Sequence, residues 1–212
     1  HIDSIGGEKN WAAIKSVQIQ SSISNEGETI RLNKQIIKNK SLRQDITFNG
    51  RDASAKEMKY FILLLEKEGW KMLPDTDEKV VKMGESEFVS MQEDMDFEDP
   101  FLFYESKHRE VDLLPLEYIG DNVYYKFIMR YPSGRTEYIY IDSKTMLITQ
   151  RIKIGTEYES SIQFEQYEKL KEGIVISKKN ISTIGTTLVD KIVMNAVIPA
   201  SLFDPMKIYN YR

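Results

Sequence analysis

Between Asn122 and Ile154 the chain reads NVYYKFIMRY, PSGR, TEYIYID, SKT, MLITQRIKI. Val123, Tyr125, Phe127, Met129 and Tyr131 recur at every second position of the first segment, and Ile139 and Ile141 alternate with Tyr138 and Tyr140 in the third. A period of two marks extended strand, whose successive side chains point to opposite faces. The connectors Pro132-Ser133-Gly134-Arg135 and Ser143-Lys144-Thr145 can join only antiparallel neighbours, because a parallel return needs about a dozen residues. The stretch is therefore a meander of three strands.

The same rhythm continues downstream through Tyr158 to Glu168, Ile174 to Ile184 and Thr187 to Ile198, with turns at Gly155-Thr156, Lys171-Glu172-Gly173 and Gly185-Thr186. Upstream, Val111 to Tyr118 turns at Gly120-Asp121 into the quoted segment. Nearer the start, Val17, Ile19, Ser21 and Ile23 alternate with polar neighbours, and Asn25-Glu26-Gly27-Glu28 turns into a returning strand, Thr29 to Lys38. Leu42 to Asn49, Met58 to Leu65 and Trp70 to Leu73 complete the strands, and Pro74 with Asp75, Asp77 and Glu78 ends the last of them.

Two regions break the pattern. Ile2, Ile5, Trp11 and Ile14 stand at helical spacing around Gly6-Gly7, which predicts two short helical turns. Phe88, Met91, Gln92 and Met95 predict a helix before Pro100, and Asp99-Pro100 predicts the cap and first residue of a second short one. About a dozen strands in one sheet accumulate twist until the sheet curls or closes. The curled sheet needs a cover, and the helical stretch, about 85–106, is the material available. Phe88, Met91, Met95, Phe101 and Phe103 from that stretch, with Tyr125, Phe127 and Met129 from the sheet, are the candidate lining of an apolar cavity; the alternative is that they simply fill a core. No composition shift marks a linker, so 1–212 reads as a single domain.

The 212 residues are ordinary for a globular chain at 41% hydrophobic. With 33 acidic and 29 basic residues the net charge is −4, against duplex nucleic acid as a partner. Absence of cysteine removes disulfides, thiol catalysis and thiolate metal sites. No apolar run approaches the roughly 18 residues of a membrane-spanning helix. His1 and His108 are far apart in sequence, and His108, between Lys107 and Arg109, reads as a helix-end cation. Asp94, Asp96, Glu98 and Asp99 lack the turn glycine of a calcium loop. Glu165 with Glu168, or Asp75 with Asp77, are chance pairs in so acidic a chain, and Ser133-Gly134 is turn chemistry. No catalytic residue, metal site or cofactor is expected, and the protein reads as a non-enzyme.

Several segments carry a family resemblance: His1-Ile2-Asp3-Ser4-Ile5-Gly6-Gly7, Ala13-Ile14-Lys15-Ser16-Val17, Thr47-Phe48-Asn49-Gly50, Gly69-Trp70, Asp99-Pro100-Phe101-Leu102, Tyr140 to Thr145, Val197-Ile198-Pro199 and Ser201-Leu202-Phe203. In order and spacing they resemble the LolA-like outer-membrane lipoprotein-sorting proteins in their Bacteroidetes form. The resemblance implies a mainly β (α+β) fold, a single large antiparallel sheet forming an unclosed β-barrel under short helices. It implies a periplasmic, exported carrier, with a signal segment or lipid anchor upstream of His1. Its partners would be the acyl chains of lipoproteins or another lipid, with delivery partners at the inner and outer membranes. An interaction scaffold of the same fold with a filled cavity is the alternative. Arg43 is the analogue of a basic residue such carriers place near the cavity, although its alternation with Leu42 and Gln44 equally suits a solvent-facing side chain. Met58 to Leu65 departs from the pattern by being more aliphatic, and 74–84 by its charge.

Overall fold

A computed structural model describes residues 1–49, 58–73, 79–155 and 160–208. Gly50, Thr156, the start of the strand expected at Tyr158, and Pro74 with its acidic cluster lie outside the described residues. The strands are β1 (Ser16–Asn25), β2 (Glu28–Ile37), β3 (Ser41–Asn49), β4 (Met58–Leu65), β5 (Gly69–Met72), β6 (Val81–Lys82) and β7 (Glu110–Leu113). They continue as β8 (Glu117–Ile119), β9 (Asn122–Arg130), β10 (Thr136–Asp142), β11 (Ile148–Ile154), β12 (Ser160–Lys169), β13 (Val175–Ser182) and β14 (Gly185–Met194). Among the described residues the α-helices are short: α1 (Glu8–Ala12), α2 (Glu85–Gln92) and α3 (Pro205–Ile208).

Among the described residues fourteen strands form one antiparallel sheet that does not close. Its order is β6-β5-β4-β3-β2-β1-β14-β13-β12-β11-β10-β9-β7, with β8 also on β9. Mainly-β architecture under few short helices is what the alternation predicts. Two local expectations need correction. Val111 to Tyr118 is not one strand: Pro115 has no N–H to give to a ladder, so β7 and β8 stop on either side of it. No second helix starts at Pro100. Asp99 Oδ1 does accept the Phe101 N–H at 3.0 Å, as a cap would. Phe103 and His108 then adopt left-handed backbones, with φ of 57° and 55°, and the segment stays a string of turns.

The chain divides into two compact units. The first comprises His1–Ala13 and Glu98–Thr187, the second Ile14–Phe97 and Leu188–Arg212. The stretch expected as one cover is thus shared, α2 belonging to the second unit and Glu98 onward to the first.

In the first unit Met129, Tyr131, Ile139, Ile141 and Ile148 form the buried centre, packed by Phe101, Val111, Tyr125, Phe127 and Phe164. Gly6, at φ 104°, ends the opening 3-10 turn, and a Cβ there would stand 2.3 Å from the Gly173 carbonyl oxygen; only glycine fits. In the second unit the register aligns Val17, Ile36, Leu42, Leu64 and Gly69 across β1 to β5. The opposite face gathers Phe61, Leu63, Trp70 and Met72 under Ile198, Leu202 and Phe203.

Candidate functional site

In the first unit alternation along β9 puts Tyr125, Phe127 and Met129 on one face, where register sets them opposite Ile141, Ile139 and Glu137 of β10. Phe101 stands edge-on to Phe127, ring centres 5.0 Å apart, and the His1 ring stands edge-on to Phe101 at 5.4 Å. Four of the expected lining residues, Phe101, Tyr125, Phe127 and Met129, therefore meet. Phe103 is half-buried, with Lys107 Nζ 5.8 Å from its ring centre. Met129 and Leu102 have no exposed surface at all.

His1 pins the turn segment to this face. Its Nδ1 bonds the Met146 carbonyl at 2.7 Å and its Nε2 lies 3.0 Å from Asp99 Oδ2. Burial opposes the charged imidazole, but the Asp99 carboxylate and the Met146 carbonyl outweigh it and raise the pKa above the ordinary 6.5.

Beside the aromatic residues lies a charge cluster that the sequence reading missed. Glu137 is buried and accepts from Arg151 Nε at 2.8 Å, while Arg135 Nε lies 3.0 Å from its other oxygen. Arg151 also donates to the Tyr131 hydroxyl at 3.1 Å. Two guanidiniums lie over the Tyr131 ring, Arg135 at 4.1 Å and Arg109 at 4.9 Å. Burial raises the Tyr131 pKa, and the Glu137 carboxylate adds to it against the three arginines. The signal was present: Glu137 sits in the apolar register of Ile139 and Ile141, where an unpaired carboxylate would be very costly. That Arg151, 14 positions away, would offset that cost was not legible, because it reaches Glu137 only through the pairing of β10 with β11.

In the second unit α2 covers the Leu42–Leu64 face. Phe88 and Met95 are buried and Met91 is half-buried. A Cβ on Gly69 would come within 2.6 Å of Met83 Sδ and 3.2 Å of Phe88, so the missing side chain is what lets α2 approach. Lys71 ties the sheet to α2 through Glu87 at 2.7 Å. Arg43 is neither solvent-facing nor on this face. It is 3% exposed, pointing the other way with Leu63, its register partner. There it makes a two-pronged bond to Asp45 and donates to the Leu202 carbonyl at 3.1 Å, 5.8 Å from the Phe61 ring centre. Alternation alone suggested solvent because it could not reveal that Leu202 and Phe203 fold over this face as well.

Among the described residues no group of three or more His, Asp or Glu side chains could hold a metal ion, and no helix is long and apolar enough to cross a membrane.

Comparison with protein-family models and with curated proteins finds no match for this sequence. Comparison with solved structures finds several. A DUF1329-family protein from Desulfovibrio piger aligns over 96% of this chain and 95% of its own, with TM-score 0.59 and 16% identity. A putative outer membrane lipoprotein-sorting protein domain from Vibrio parahaemolyticus aligns over 95% of both chains, with TM-score 0.57 and 10% identity. A LolA-superfamily protein from Nitrosomonas europaea aligns over 96% of this chain and 97% of its own, with TM-score 0.56 and 12% identity. At these identities the likeness is one of fold: the chain has the LolA-like fold, as the sequence resemblance implies.

Proposed function

We propose that this protein is a non-catalytic periplasmic carrier that shields the acyl chains of lipoproteins, or of another lipid, against the apolar faces of its sheet. One observation carries the reading: the faces bearing Tyr125, Phe127 and Met129, and bearing Leu42 and Leu64, are roofed by short Phe- and Met-containing segments rather than by long helices. α2 has eight residues and no side-chain cap, a length that is marginal without packing. The other roof, Phe101–His108, is only turns. An acyl chain that replaces Phe88 or Phe101 on the sheet exchanges one apolar contact for another, so lifting the roof costs little. Each methylene taken from water then contributes about 0.8 kcal/mol. Met91 and Met95 suit an interior that must repack around different chains. Delivery partners at the inner and outer membranes follow from the carrier role, and nucleic acid does not.

Titration with a dansyl-labelled fatty acid tests the reading. Enhanced, blue-shifted emission with a Kd near 1 μM (about 8 kcal/mol) is expected, weakened at least tenfold by Phe127→Asp, which puts a carboxylate on the sheet face the chain would cover. Absence of any enhancement in delipidated protein would leave the second reading, an envelope interaction scaffold with a filled interior. The complete burial of Met129 and Leu102 is the observation that favours that alternative.

A further inference from the structure

The face of the first unit opposite Phe127 and Met129 has a different chemistry. Register aligns Lys126 of β9, Tyr140 of β10, Gln150 of β11 and Gln163 of β12 in one row. Next to this row an open cavity of about 370 Å³ is lined by Ile119, Tyr124, Tyr140, Gln150, Gln163 and Glu165, among others. Its size lies within the range of small-molecule sites.

The polar groups here are held by neighbours in ways that leave hydrogen-bonding capacity toward the cavity. Lys126 bonds Glu117 at 2.7 Å and stands 5.1 Å from the Tyr140 ring centre, and the Tyr140 hydroxyl can both donate and accept. Gln150 gives its amide N–H to Ser161 Oγ at 2.9 Å, which fixes the amide and leaves its carbonyl oxygen as an acceptor. Glu165 takes Lys179 on Oε2 at 2.8 Å, and its second oxygen can accept. Gln163 is exposed and supplies both a donor and an acceptor. Tyr124, half-buried, adds an aromatic ring beside them.

Each acid of the site is matched by a lysine, so a charged ligand finds no net opposite charge. An acyl chain would leave the remaining donors and acceptors of Gln150, Gln163 and Glu165 unmatched. A sugar ring satisfies all these conditions at once. Its hydroxyls each donate and accept, matching the alternating donors and acceptors, and its C–H face is electropositive, matching the negative face of a tyrosine ring. We propose that this cavity is a binding site for a neutral saccharide. The site is independent of acyl binding, because the two lie on opposite faces of the same strands.

Saturation-transfer NMR of the full chain with glucose, galactose, mannose, N-acetylglucosamine, maltose and cellobiose tests the proposal. At least one of these sugars is expected to bind with a Kd of about 1 mM or tighter. Gln163→Ala, an exposed change that leaves the fold intact, is expected to weaken that binding about fivefold, the worth of one hydrogen bond. Tyr124→Ala is expected to remove it, and Val197→Ser, at a fully exposed position in the other unit, to leave it unchanged. No transfer to any of the six sugars would overturn the proposal. So would binding that both Gln163→Ala and Tyr124→Ala leave at the parent strength.

Discussion

Arg43 shows how much one side chain can be committed to structure. The residue is 3% exposed, and its guanidinium bonds Asp45 and the Leu202 carbonyl. Asp45 keeps a third of its side chain in water, which moderates the loss on breaking the pair. Asp45→Ala is expected to destabilise the protein by about 2 kcal/mol in urea unfolding, because it removes the counter-ion of a buried guanidinium. Arg43→Met with Asp45→Leu is expected to recover most of that loss. The Arg130–Asp112 bridge at 2.7 Å is solvent-exposed on both sides, and its removal is expected to change stability little. His1 carries a pH signature. Because its folded pKa is raised, its stabilising contribution is complete below the unfolded value of 6.5 and is lost as pH rises through the folded value. Unfolding at a series of pH values from acid through neutral is expected to show this loss in the parent and a smaller one in Asp99→Asn, which keeps a hydrogen bond but not the charge.

At the level of elements, α2 is the informative case. Its N-cap is Gly84, in an extended conformation, and a Cβ there would meet nothing within 4 Å. Gly84→Ser is therefore expected to stabilise the helix by about 0.5 kcal/mol, through an added cap and a less flexible unfolded chain. If α2 is a roof that lifts for an acyl chain, the same change weakens fatty-acid binding by about twofold in the dansyl titration. Strands such as β1, β2, β9 and β10 were legible because burial of one face writes a period of two into the sequence. The Gly6 stop and the α2 region were legible from glycine and from helical spacing. The break at Pro115 was visible in composition but was masked by the apolar run around it. The turns after Pro100 were not legible, because nothing in Phe101-Leu102-Phe103 announces a left-handed backbone. Of the candidate site, Phe101, Tyr125, Phe127 and Met129 were found because they share a period. Glu137, Arg151 and Tyr131 were missed because their pairing is a property of strand register and of residues up to 20 positions apart.

At the scale of the molecule, the fourteen strands among the described residues leave β6 and β7 as the ends of the order. β6 is two residues long, and β7 stops at Leu113 before Pro115, which limits what either end can template. Two apolar centres, one in each unit, are roofed by short segments, and from those roofs comes the idea that the protein exists to hold something else against its strands. Native mass spectrometry of delipidated protein incubated with palmitate measures this most directly. The expected spectrum shows a stoichiometric adduct of one fatty acid's mass that Phe127→Asp diminishes; a spectrum holding only the unliganded mass at saturating palmitate would contradict the account.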